Sequence, residues 1–254
     1  MTGAMAGATL RRPILAAAIV LSACSPIGVA TRAPGPAEPH STATGPNVGG
    51  PPATARALAA PQGDDVDYYR RGARVMEDQD LAGARAIDFA RFRHGSMQLH
   101  HAMDPGGGKD LRSALKSGDL AATRKAATAI LAEDASHLGA HIILMNLEQD
   151  AGHKTGAELH DTFIAGMLRS ILASGDGRGY RTAFRVYFVR EEYDLIRALG
   201  GQVLGQALGH QEGKSYDILQ VKTKSGATRD VFFEITELFA EEGKLFDLPA
   251  KKAE

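Results

Sequence analysis

Histidines, a single cysteine and a few carboxylates are the residues of this 254-residue chain that could do more than pack. His137 and His141 stand four apart, so on one helix they share a face, and His153 and His160 follow. Two histidines at that spacing plus a third ligand make a metal site, because neutral imidazole nitrogens coordinate divalent cations. Asp176, in the glycine-flanked run Ser174-Gly175-Asp176-Gly177, is the carboxylate that could complete such a set. Glu191 and Glu192 lie one strand further on, and a carboxylate pair formed with Asp176 would suit acid–base or metal chemistry. The candidates are therefore His137, His141, His160 and Asp176 for a divalent metal, and Ser174, Gly175, Asp176, Gly177, Glu191 and Glu192 for a functional loop. The competing reading is plainer: partly buried histidines bonded to backbone or carboxylate, and a tight turn with a capping role.

Other chemistry is excluded by pattern. No Glu follows His137, so the zinc-protease motif is missing. Pro105-Gly106-Gly107-Gly108-Lys109 fails as a phosphate loop, since Met103 occupies the position of the first glycine and Asp110 that of the magnesium-binding hydroxyl. There is no Gly-x-Ser-x-Gly nucleophile elbow. No catalytic residue is assigned, and the chain reads as a binding protein rather than an enzyme, with no cofactor beyond the candidate metal.

Cys24 has a different chemistry. Arg11-Arg12 precede a ten-residue apolar run, Ile14 to Ala23, which suits a signal peptide and is too short to span a bilayer. The run ends in Leu21-Ser22-Ala23-Cys24, the lipobox pattern of bacterial lipoproteins: an aliphatic residue, two small ones, then the thiol that accepts diacylglycerol. Two or three acyl chains give stable anchoring, at roughly 0.8 kcal/mol per buried CH₂. Ser25, where Asp often marks inner-membrane retention, points to the outer membrane. Met1 and Met5 both remain open as starts, and the paired arginines fit a twin-arginine signal poorly.

The net charge of −1, with charged residues evenly balanced at 23%, excludes a nucleic-acid surface. One cysteine excludes an intrachain disulfide. Residues 1–23 thus read as signal peptide, and 24–65 as the lipidated cysteine with a Pro/Ala/Gly-rich tether that cannot offset its ordering entropy. Residues 66–247 read as one globular domain, and 248–254 as a frayed tail.

Positioning elements come from periodicity. Helices are expected over Val66 to Glu77, Leu81 to Phe92, Leu111 to Leu115 and Leu120 to Glu133, with Arg93 on the charged edge of an apolar face. Leu159, Phe163, Met167 and Ile171 mark the most regular helix. Gly118 and Gly152 are 34 residues apart, the period of a tetratricopeptide hairpin. Phe184, Val186 and Phe188 alternate as a strand, Glu191 to Leu199 is helical, and strands through Tyr216 to Val221 and Val231 to Ile235 pair around Lys224-Ser225-Gly226. The fold class is α+β: tetratricopeptide-like helical hairpins on a small C-terminal antiparallel sheet.

Several of these residues resemble domain-of-unknown-function family 4919. They are Gly118-Asp119 with its alanine-rich helix, Ala140-His141, His160, Met167 to Gly177, Thr182 to Phe184, Glu191 to Tyr193 and Tyr216-Asp217, with Ser170 to Tyr193 the most specific stretch. The resemblance implies this fold and a lipoprotein habit, and transfers no catalytic residue. The expected function is a membrane-tethered binding or scaffolding module of the cell envelope, with an envelope protein or peptide as partner. The alternative is a metal-binding protein or metal-dependent hydrolase.

Overall fold

Aspartates open four of the helices. Asp64, Asp80, Asp88 and Asp119 each accept a backbone N–H from the first turn behind them. Such a cap satisfies amides that a helix start leaves unpaired and contributes about 1 kcal/mol. A computed structural model describes residues 64–101 and 108–246. The signal segment, Cys24, nearly all of the tether and the tail at 248–254 lie outside the described residues.

The chain is α+β. The helices are α1 (Asp65–Glu77), α2 (Leu81–Arg85), α3 (Phe89–His100), α4 (Gly108–Ser117), α5 (Leu120–Glu133), α6 (Leu138–Asp150) and α7 (Lys154–Leu172). They are followed by β1 (Phe184–Arg185), α8 (Val189–Ala198), β2 (Gln202–Gln211), β3 (Lys214–Lys222), β4 (Thr228–Glu234) and α9 (Thr236–Phe246). The expected helix from Leu81 to Phe92 is two helices. Ala86 caps the first, and Asp88 restarts the chain by accepting from the amides of Ala90 and Arg91.

Gly118 and Gly152 end α4 and α6 at φ +72° and +77°, a left-handed conformation that glycine adopts without a Cβ clash. Their spacing thus marks equivalent corners of successive helical hairpins. A small core of Leu111, Ala127, Ile130, Leu131, Ala140 and Leu144 joins α4, α5 and α6.

The sheet has order β1-β4-β3-β2. β3 pairs antiparallel with β4, as expected, and also with β2, while the two-residue β1 runs parallel to β4, Phe184 opposite Phe233. Glu212 and Gly213, both at positive φ, form the two-residue turn between β2 and β3. The main core runs unbroken from the helices into the sheet. Phe89, Phe92 and Phe163 meet edge-to-face at its helical end, and Leu195, Leu219, Phe233 and Leu238 fill its sheet end.

Arg93 lies inside this core and not on the charged edge that periodicity suggests. It is 2% exposed and reaches Glu191 through two bonds, Nε–Oε1 at 2.7 Å and Nη2–Oε2 at 2.6 Å. It also donates to Ser170 Oγ and the Arg185 carbonyl, while the Tyr187 amide donates to Glu191. This fork ties α3 and α7 to β1 and α8.

Candidate functional site

A cavity of about 870 Å³ is a groove walled by the C-terminal end of α1, by α5 and α6, and by the first turns of α7. Met76, Leu131, Leu144 and Leu159 supply its apolar floor. Its size lies in the range of ligand sites, roughly 300–1,000 Å³. In its lining Arg124 of α5 bonds Glu148 of α6, whose other oxygen takes His153 Nδ1 at 2.8 Å. Burial alone would raise Glu148, but its bonds to Arg124 and His153 outweigh it and hold the carboxyl below its ordinary range. His153, the N-cap of α7, makes no side-chain cap, so Glu148 stands as the anion beside that helix start.

His160 also lines the groove and is backed by His141. Their Nδ1 atoms are 3.0 Å apart, and His141 Nε2 lies 2.9 Å from the Ala135 carbonyl. A carbonyl only accepts, so His141 Nε2 carries the proton and donates. In the neutral ring His141 Nδ1 then accepts from His160 Nδ1–H, leaving His160 Nε2 as the lone-pair nitrogen of a ring that lines the groove. Burial, reinforced by His160, pushes His141 down to about 3, and burial lowers His160 too. His141 is fully buried and stacks on Phe163 at 4.8 Å.

Behind this pair the α5–α6 loop is fixed by Asp134, which is wholly buried. Asp134 accepts from Tyr69, Ser96 and Ser136 and is paired with Arg190 of α8. Burial would raise it, but Arg190 and the Ser136 and Ser96 donors hold it below its ordinary value. Burial and the nearby Asp134 raise the Tyr69 hydroxyl, whose oxygen accepts the Ala135 amide.

The metal candidates are not assembled. His137 accepts from the Ala140 amide as the N-cap of α6, so it lies at the helix start and not on a shared inner face with His141. Asp176 lies beyond the far end of α7, which rises roughly 18 Å from His160 to Leu172 at 1.5 Å per residue. Among the described residues no group of three His, Cys, Asp or Glu could hold a metal ion.

The loop at Ser174-Gly175-Asp176-Gly177 is a corner. Ser174 Oγ accepts the Arg185 amide, and the Asp176 and Gly177 amides donate to Thr182. A Cβ on Gly175 would meet the Thr182 carbonyl at 2.4 Å. Asp176 is exposed, held below its ordinary value by the Thr182 side chain and the Arg178 amide. It does not join Glu191, which is bound to Arg93, or Glu192, whose neighbour is Asp217 of β3. Sequence spacing missed Arg124, Glu148 and Asp217. Each acts through a partner on another element, and the only signal was a charged residue inside an otherwise apolar or alanine-rich run.

The family described as a domain of unknown function (DUF4919) matches residues 109–244, more than half of the chain. The chain belongs to this family. The DUF4919 match takes in α5, α6, α7 and the sheet, and so holds every groove wall except the end of α1. No curated protein and no solved structure matches the chain. No helix among the described residues is long and apolar enough to cross a membrane.

Proposed function

We propose that this protein is an exported, lipid-anchored binding module of the cell envelope, which takes an apolar-rich peptide segment of an envelope protein into the groove between α1, α5, α6 and α7. The groove carries the reading: it is concave and apolar-floored with a few polar groups in its lining, the composition by which pockets combine affinity with orientation. His160 offers a hydrogen-bond acceptor there, held in one tautomer by His141 and Ala135. The Arg124–Glu148–His153 cluster supplies further polar groups to the same lining. The Leu21-Ser22-Ala23-Cys24 run supports the anchor. The metal-hydrolase alternative is not favoured, because the histidine pair lacks a third ligand among the described residues.

Two experiments test this. A photo-crosslinking residue at exposed Thr128, inside the groove, is expected to capture a discrete partner in cells, whereas one at exposed Asp161, outside it, is not. Thr155→Trp, which fills the groove from an exposed position, should abolish the Thr128 adducts. Identical adducts from both positions, or adducts indifferent to Thr155→Trp, would overturn the groove. Separately, Cys24→Ser should abolish palmitate labelling and leave the precursor form uncleaved; an unchanged label removes the anchor.

A further inference from the structure

The sheet end carries a second cavity, of about 440 Å³, remote from the groove in chemistry and composed of other elements. Its walls are apolar and open to solvent: Val189, Leu208 and Phe239 are 43%, 61% and 39% exposed. Its polar lining is Gln206 and Asp217. Asp217 is 2% exposed. Its Oδ2 takes the Gln206 side-chain amide, and among the described residues its buried Oδ1 meets no nitrogen or hydroxyl donor. Behind it Glu192 is fully buried, with neither carboxyl oxygen meeting such a donor.

Two adjacent carboxyls without a counter-ion persist when they share a proton. Burial, with Asp217 and Glu191 beside it, pushes Glu192 up to about 9, and burial raises Asp217. Other titratable groups near the pair are Glu191, engaged by Arg93, and Tyr193, whose hydroxyl donates to Gln206 Oε1 at 2.8 Å. With Glu192 holding the proton and donating it to Asp217 Oδ1, Asp217 presents one desolvated negative charge at the base of an apolar-walled cavity.

We propose that this cavity binds a primary ammonium group on an apolar stem, the nitrogen donating to Asp217 and the stem lying along Val189, Leu208 and Phe239. The second lone pair of Gln206 Oε1 offers the ammonium another acceptor. A guanidinium fits less well, since its fork needs both carboxylate oxygens and Gln206 and Glu192 engage them. A hydrated metal ion would find one reachable carboxylate among apolar walls. An anion is repelled, and a neutral apolar ligand leaves the buried charge unpaired.

Titration of the full chain with n-hexylamine at pH 7, followed by ¹H–¹⁵N NMR, tests the assignment. The amides of Gln206, Leu208 and Asp217 should shift saturably, and n-hexanol should bind at least about tenfold more weakly, the step that 1.4 kcal/mol represents. Asp217→Asn keeps the shape and an acceptor for the Glu192 proton but removes the charge, and should weaken hexylamine about tenfold or more. Val189→Lys, at an exposed position, places a competing ammonium at the rim and should weaken it similarly while leaving the fold intact. Equal binding of hexanol, no response to hexylamine, or undiminished binding in folded Asp217→Asn overturns the proposal. Should Asp217→Asn not fold, undiminished binding in Val189→Lys does so.

Discussion

The helical end of the domain holds a pair of bases, buried His141 and half-buried His160, and the sheet end buries a pair of acids, Glu192 and Asp217. Both are kept uncharged or singly charged by loss of water, but they are satisfied differently. The histidines form a chain of hydrogen bonds that ends on the Ala135 carbonyl, with the His141 ring stacked on Phe163. The carboxyls have one amide from Gln206 and otherwise each other. A pair closed upon the protein serves architecture and orients one nitrogen toward the groove. A pair left short of partners keeps capacity for a ligand.

The deepest break in this comparison is the fork that joins the two ends. Arg93→Ala leaves Glu191 charged and buried and is expected to cost about 3–5 kcal/mol. Arg93→Met with Glu191→Leu, which removes both charges, should recover more than half of that loss. Urea unfolding monitored by circular dichroism measures both, and a single mutant within about 0.5 kcal/mol of the parent would show that the fork does not couple the ends.

The pairs should also respond oppositely to pH. His141 falls to about 3 in the fold from 6.5, so the unfolded chain takes a proton that the folded one refuses. Its contribution is full above 6.5 and is lost as pH falls toward 3. Glu192 rises to about 9 from 4.5, so the fold keeps a proton that the unfolded chain releases, and its contribution is lost as pH rises between those values. Melting temperature should therefore fall on both sides of a maximum. His141→Asn is expected to flatten only the acid limb and Glu192→Gln only the alkaline limb, each by several degrees, since 1 kcal/mol moves Tm by roughly 2–4 °C at this size. Limbs that move together in either variant would mean the two pairs are coupled.

The smallest effect sharpens the contrast. Asp119→Ala removes one exposed helix cap and should cost about 1 kcal/mol, without altering the alkaline limb governed by Glu192. A changed alkaline slope in that variant would show that the helical hairpin reports on the sheet.

Legibility in the sequence follows the same division. The helix through Leu159, Phe163, Met167 and Ile171 could be read because one face is buried along its whole length, and the Gly118–Gly152 spacing marked two real corners. β2 escaped because most of its residues are exposed on both faces, so no alternation of apolar and polar side chains is imposed on it. The α9 helix, which follows the last strand directly at Thr236, was given no element by periodicity. Among site residues, His141 and His160 do meet, but the spacing that joined His137 to them ignored the cap, which takes a side chain out of the helix face. Arg93 looked like a surface charge because its partner is 98 residues away. Asp217 drew no chemical reading for the same reason, with Glu192 on a different element.

The parallel pairing of β1 with β4 sets an order of events. Phe184 emerges during synthesis about fifty residues before Phe233, its partner in the sheet. Until β4 arrives, β1 can be held only by the corner behind α7 and by the Arg93–Glu191 fork. Local helical contacts form fast and distant strand pairings form slowly. The helical end, groove included, is thus expected to mature first, and closure of the sheet to be the late step that completes the carboxyl pair and its cavity.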